Sequence, residues 1–386
     1  MTSDWTSRLT DRRTFIAGTV GTASLLAGCS GISGSSRSGT TDDPVVETGT
    51  ASTRTPEGGA PSIDDLPDLE GDLTVYLGRG EGGAYSDLVS YLEDTRYEDF
   101  SVTLKRGPSS GLANTILTEA ANGESPADVF WSIDAASLAL VARNGLAATL
   151  PADLTGIVAG KFRDSKRRWV GLTGRARAIP YNTDRLTADD IPASVFDIPG
   201  KKRFQDALGW APSYGSFQAF VTAMRHLEGD SRTRQWLNGV QETGVKSYPG
   251  EFGVTYDVAQ GTVSAGFANH YYALRLKQAN PDAPVDLAFT HGGPGALINV
   301  AGALVLRSSD RFDLATNFVR HFLTREVQRY LVEHVYSYPL ASGVAPPDGG
   351  DIELPSIAEL DPPDIDLAAL GNVKETIRLL RDTGVL

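Results

Sequence analysis

From Leu73 onward, short apolar runs of strand length alternate with segments of helical period. That alternation restricts the chain to βαβ units around a mostly parallel sheet. Leu73-Thr74-Val75-Tyr76-Leu77 reads as a buried strand, Tyr85 to Leu92 as a helix and Phe100 to Leu104 as a second strand. Gly111 to Ala121 reads as another helix and Asp128 to Trp131 as a third strand. A second α/β set follows from about Asp206 to Phe289. It has a strand at Ala207–Trp210, helices near 216–228 and 231–242, a strand around Ser264–Ala268 and a helix from Tyr272. The apolar run 296–306 is long enough to cross between two lobes as a single strand, and helices near 312–323 and 325–335 are expected to pack back. No repeat of fixed period interrupts this order. With 386 residues the chain has room for two such units. The expected fold class is therefore α/β, with two lobes, each a mostly parallel sheet flanked by helices, joined by hinge strands.

The segment before Leu73 has a different chemistry. Arg12 and Arg13 precede Thr14 and Phe15, and a mildly apolar run then extends from Ile16 to Ala27. This is the layout of a twin-arginine export signal, with a basic region followed by a short apolar one. The run is too short and too rich in Gly, Ser and Thr to span a bilayer as a permanent helix. It ends in Leu26-Ala27-Gly28-Cys29, which resembles a lipoprotein processing box. Cys29 is the only cysteine, so an intrachain disulfide, a cysteine nucleophile and a cysteine metal site are excluded from the folded region. Lipidation of Cys29 is expected to anchor the mature protein to the outer face of the cytoplasmic membrane. Residues 30–70, rich in Ser, Gly, Thr, Pro and Asp, read as a flexible tether. The formal net charge of -13 argues against nucleic acid and against docking on anionic lipid, both of which call for Lys and Arg.

Four motifs stand out in the folded region. Gly78-Arg79-Gly80-Glu81-Gly82-Gly83 satisfies the letters of a dinucleotide fingerprint, but the second strand ends in Lys105-Arg106 instead of the required acid. It reads better as a tight loop at the carboxyl end of the first strand, where open α/β sheets bind ligands. Tyr271 and Tyr272 lie where a strand turns into a helix, so two phenols can reach one cleft. The bland reading of such a pair is packing and capping; the functional one is a site for a hard trivalent cation, which prefers oxygen donors. In Gly174-Arg175-Ala176-Arg177-Ala178-Ile179-Pro180-Tyr181, period-two alternation puts Arg175, Arg177, Ile179 and Tyr181 on one strand face. A cleft-facing arginine there could hold an anion. Ser213-Tyr214-Gly215-Ser216 precedes an apolar helix, with Ser213 a candidate cap and the helix start a candidate anion cradle. The five histidines are scattered, with no zinc spacing, and read as structural or solvent-facing. No G-x-S-x-G elbow is present, so no hydrolase is indicated.

Taken in order, these segments resemble the periplasmic ferric-iron-binding proteins of ABC-type importers, the bacterial transferrins. The likeness runs through Leu73-Thr74-Val75-Tyr76, Pro126-Ala127-Asp128-Val129-Phe130 and Leu172-Thr173-Gly174-Arg175-Ala176-Arg177 with Tyr181. It continues through Asn269-His270-Tyr271-Tyr272, Pro294-Gly295-Ala296-Leu297 and Tyr338-Pro339-Leu340. The resemblance implies a type II periplasmic-binding fold whose lobes close on Fe(III), a monomer, and hand-over to an ABC permease and its ATPase without catalysis. It implies Tyr271 and Tyr272 as phenolate ligands and Tyr181 as a third tyrosine. It also implies Arg175, with Tyr214, Gly215 and Ser216, as a place for a synergistic carbonate or phosphate, beside the candidate cap Ser213. The first lobe departs from the family pattern. Gly80 stands where a histidine is common, and Ile133, next to Asp134, stands where some members carry glutamate. Glu81 is the expected substitute oxygen donor and Arg79 an expected anion partner. These losses also keep open the same fold with an organic or anionic cargo, such as a thiamine-like, phosphonate or polyamine ligand. The expected organisation is a signal at 1–29, the tether at 30–70, a first lobe at 71–175 completed by about 297–350, and a second at 176–296 completed by about 351–386.

Overall fold

A computed structural model describes residues 59–80, 83–371 and 373–386. The leader with Cys29, the tether up to residue 58, and Glu81 lie outside the described residues.

The first sheet is built around β1 (Gly71–Gly78), which pairs in parallel with β2 (Phe100–Gly107) on one side and β3 (Val129–Ser132) on the other. Helices α1 (Ala84–Tyr91), α2 (Ser109–Ala121) and α3 (Ala135–Arg143) connect and flank these strands. Asp134 starts α3 by accepting from the Ser137 backbone N–H, an ordinary N-cap. Gly78 shows why the loop after β1 needs glycine. A Cβ there would stand 2.3 Å from the Ser109 hydroxyl, which the Ile133 backbone N–H uses as its acceptor at 3.0 Å.

Strand β4 (Val170–Asn182) is buried at all thirteen positions. It is followed by β5 (Leu208–Trp210), α4 (Gly215–Glu242), β6 (Lys246–Ser247), α5 (Glu251–Ala259), β7 (Ala265–Gly266), β8 (Ala268–Asn269), α6 (Tyr271–Ala279) and β9 (Val285–Ala288). The chain then returns through β10 (Ile298–Val305), α7 (Phe312–His321), α8 (Arg325–Val335) and β11 (Tyr338–Pro339), and ends in α9 (Val373–Asp382).

The crossing between lobes is made by β4. Its first half pairs antiparallel with β10, from Val170 opposite Ala303 to Ala176 opposite Ile298. Its second half pairs with β9, from Ile179 opposite Ala288 to Asn182 opposite Val285, and Tyr181 pairs with Ala265 of β7. The run expected to cross, 296–306, instead forms β10 inside the first sheet, between β3 and β4. The ladder decides this: β10 finds both its partners in one sheet, whereas β4 satisfies its backbone in two.

The second sheet sets β5 in parallel between β6 and β7. Its core is aromatic: Trp210, Phe217, Phe220, Trp236 and Phe267 pack with Leu379 and Leu380 of α9. Helix α4 carries Gly229 at φ 82°, ψ 161°, which divides it into the two helices read from the sequence. The C-terminal segment touches both lobes. Arg143 of α3 donates to the Ala368 carbonyl, and α9 then packs on α4.

The last dozen residues of the expected tether belong to the folded body. Ala60, Ile63 and Leu69 are buried, and Ala60 N–H donates to the Ser342 carbonyl at 2.8 Å. The Glu326 carboxylate accepts from both the Ser62 hydroxyl and the Ile63 N–H. Three isolated apolar anchors in a polar segment carry no period, which is why the stretch resembles a linker.

Candidate functional site

The Tyr271–Tyr272 pair is suspended from the crossing strand. His270 N–H donates to the Ala176 carbonyl of β4 at 3.1 Å, and α6 begins at the next residue. The His270 ring is fully buried, with Nε2 2.7 Å from the Tyr336 carbonyl and Nδ1 3.3 Å from that of Ala176. It packs against Tyr338 and Tyr271. Burial pushes the imidazole down to about 4, so it is neutral and structural.

The phenols follow from that anchor. The Tyr272 hydroxyl is 2.8 Å from the Tyr214 hydroxyl, and the Tyr271 hydroxyl donates to it at 3.4 Å. Three phenol oxygens thus share one small volume, with the Tyr271 and Tyr272 ring centroids 4.4 Å apart. Burial, and then the neighbouring Tyr271 and Tyr214, push the Tyr272 phenol far above its ordinary value. Without a cation Tyr272 stays protonated. Ionising these phenols together would place like charges side by side with little water, which a strongly charged oxygen-seeking cation can compensate.

Beneath the phenols lies a buried polar network. Asn269 donates through Nδ2 to the Tyr271 hydroxyl at 3.3 Å and to the Ser216 hydroxyl at 3.2 Å. Its Oδ1 accepts from Arg177 at 3.2 Å, and its backbone N–H donates to Glu251 at 3.0 Å. Glu251 is fully buried and forms an ion pair with Arg177, itself only 5% exposed. The Arg275 guanidinium lies 4.7 Å from the Tyr271 ring centre. Tyr336, which caps α8 at φ 59°, packs against the tyrosine pair from the first lobe.

The structure gathers some of the expected site residues and separates others. Tyr214 was expected at an anion cradle, and its phenol instead joins the pair. Tyr181 does not join it. Its hydroxyl donates to Asp286 at 3.0 Å, its ring lies in the second-lobe core, and burial with Asp286 pushes it up to about 12. Sharing a strand face with Arg177 is not proximity: four residues along a strand is roughly 13 Å. Arg175 is buried and donates to the Ile133 carbonyl. Ser213 is exposed and is not the cap; Tyr214 holds that position, without a side-chain hydrogen bond to the helix. Gly215 opens α4, and the Ser216 hydroxyl is taken by Asn269. Arg79 is exposed on the loop after β1, and the Ile133 side chain packs over Gly80. Glu81 lies outside the described residues. The roles of Glu251, Asn269 and Tyr336 escaped the sequence, because a lone acid after glycine, one amide and a tyrosine at a helix end carry no spacing signal. A cavity of about 770 Å³ beside β11, lined by Lys161, Phe162, Tyr338 and Ile357, includes none of the three phenols.

Residues 124–356 match the family described as bacterial extracellular solute-binding proteins, and the chain belongs to that family. Among individual relatives it is 32% identical over 319 residues to the major ferric iron-binding protein of Neisseria meningitidis serogroup A, covering 81% of this chain and 93% of that one. It is 29% identical to the Fe(3+)-binding periplasmic protein of Serratia marcescens, covering 81% and 90%. The iron-bound HitA structure from Pseudomonas aeruginosa superposes with a TM-score of 0.70 at 29% identity, covering 81% of this chain and 99% of that one. The fold is the two-lobed type II periplasmic-binding architecture.

Proposed function

We propose that this protein captures ferric iron between its lobes and delivers it to an ABC permease and its ATPase, with Tyr271, Tyr272 and Tyr214 as phenolate ligands. The observation that carries the reading is the triad of phenol oxygens linked at 2.8 and 3.4 Å. Three phenolates cancel the charge of one Fe(III), and hard oxygen donors suit it. The names of the Neisseria, Serratia and Pseudomonas relatives support iron as the cargo. The cycle is capture, hinge closure about β4 and release, with no bond made or broken in the cargo. Glu81 is proposed as a further oxygen donor from the first lobe; unchanged iron affinity in Glu81→Ala would remove it from the ligand set. Lipidated Cys29 is proposed to hold a monomer at the outer face of the cytoplasmic membrane. Cys29→Ala should then move the protein from the membrane fraction to the soluble one.

The test is a titration of the purified protein with ferric citrate followed by visible absorption. A broad tyrosinate-to-iron charge-transfer band is expected, abolished or strongly weakened in Tyr271→Phe, Tyr272→Phe and Tyr214→Phe. The Ile133 side chain over Gly80 favours a second reading, in which the same cleft takes an organic or anionic solute. No band and no thermal stabilisation by iron would decide for that reading.

A further inference from the structure

We infer that the iron site carries its own anion, the buried carboxylate of Glu251, and that ferric iron therefore binds here without an exogenous carbonate or phosphate. The inference rests on the ferric-iron reading above and concerns what completes that site.

An imported anion is retained by a nearby cation and by free N–H or O–H donors. Among the described residues around the three phenols, the side chains that could supply these make contacts within the chain; the Arg275 guanidinium, for one, lies 4.7 Å from the Tyr271 ring centre. The Arg177 guanidinium is neutralised by Glu251, which is 0% exposed, and also donates to Asn269. Arg175 donates through Nη2 to the Ile133 carbonyl, while its buried Nε makes no hydrogen bond. The Ser216 hydroxyl accepts from Asn269, and the Tyr214 hydroxyl is hydrogen-bonded to Tyr272.

The Glu251 carboxylate is coupled to the metal position. It accepts the Asn269 N–H, and the Asn269 side chain donates to the Tyr271 hydroxyl. Its negative charge is thus two hydrogen bonds from a candidate ligand oxygen, inside the body and shielded from salt. A buried arginine requires a counter-charge. A chain-supplied carboxylate meets that need permanently, and a second anion beside it would be repelled in a medium of low dielectric. The backbone N–H groups of Gly215, Ser216 and Phe217 in the first turn of α4 have no intrahelical partner and are donors open to an outside anion. Gly215 is exposed, so water can satisfy it.

The test uses the purified protein, with iron(II) chloride oxidised in place by dissolved oxygen in buffer free of carbonate and phosphate. The charge-transfer band and its half-saturation point are read with and without millimolar phosphate or carbonate. In the native protein neither anion is expected to change the apparent affinity by as much as threefold. Glu251→Gln keeps the shape but leaves Arg177 uncompensated, so it should gain a phosphate dependence of about tenfold or more. Native protein that needs added anion for tight binding, by tenfold or more, would overturn the inference and leave the iron reading standing. A Glu251→Gln protein as indifferent to anions as the native one would overturn the role of Glu251. If that variant does not fold, the native titration alone decides. A band absent under every condition would overturn the iron reading, and this inference with it.

Discussion

Tyr272 lies between two other phenols, and its environment sets how the site responds to pH. Its raised value means that iron must displace a proton to bind, and each phenolate ligand adds one more. Iron affinity is therefore expected to fall steadily as pH drops, with more than one proton taken up per iron released. A pH series of the visible band checks this. Tyr181 supplies the contrast. Its hydroxyl serves Asp286, so Tyr181→Phe is expected to keep the band and its affinity, whereas Tyr214→Phe should lose affinity by about a hundredfold or more, a few kcal/mol. The two buried histidines titrate the fold itself. His270 and His321 are both pushed down to about 4 by burial, so the unfolded chain binds their protons first as pH falls. Their contribution to stability is complete above about pH 6.5 and is lost between there and pH 4, at about 1 kcal/mol per pH unit for each. Thermal unfolding followed across that window, without iron, should show the decline.

Among the elements, β4 and α4 position the chemistry. Strand β4 carries Arg175 and Arg177, offers the Ala176 carbonyl that anchors His270, and joins both sheets. Helix α4 is preceded by its cap residue Tyr214 and buries Trp236 on its far half. Trp236 packs on Phe267 at 5.3 Å, and its indole N–H reaches the Val195 carbonyl at 2.8 Å. Trp236→Ala is expected to destabilise the protein by about 3–5 kcal/mol, measured by denaturant unfolding. Gly229, at a φ and ψ open to glycine alone, should cost about 1–3 kcal/mol on replacement by alanine, with the iron band unchanged. Strands and helices with a clear period were legible. The two helices of α4 appeared near 216–228 and 231–242, and β1, β2 and β3 within a few residues of their bounds. The two-residue strands β7 and β8 merged into one expected strand, since a pair of residues has no period to detect.

At the scale of the molecule, the phenols lie on second-lobe elements, while Tyr336 and the Ile133 carbonyl reach them or β4 from the first. Iron capture is therefore expected to draw the lobes together about β4. Small-angle scattering of the native protein should show a smaller radius of gyration with iron than without, and Tyr272→Phe should show no such change. Equal radii in the native protein would argue against hinge closure. The packed segment 59–70 also matters here: a protein truncated at Leu73 loses Ala60, Ile63 and Leu69 from buried positions and should unfold at lower temperature.

The amino-acid order alone established the two-lobed α/β class, the likeness to a ferric-iron-binding family and the Tyr271–Tyr272 pair, because periodicity and adjacency are properties of the chain itself. It could not say which third phenol joins them. Tyr181 and Tyr214 both stand near an arginine or a helix start in sequence, and only the tertiary fold, which brings the start of α4 beside the start of α6, sets one hydroxyl at 2.8 Å and leaves the other on Asp286. The partner of Arg177 was equally out of reach. Glu251 is 74 residues away and becomes a counter-ion only when α5 packs against β4. Local pattern reports which face a residue takes; which faces meet is decided by long-range packing, which satisfies buried charge and backbone together.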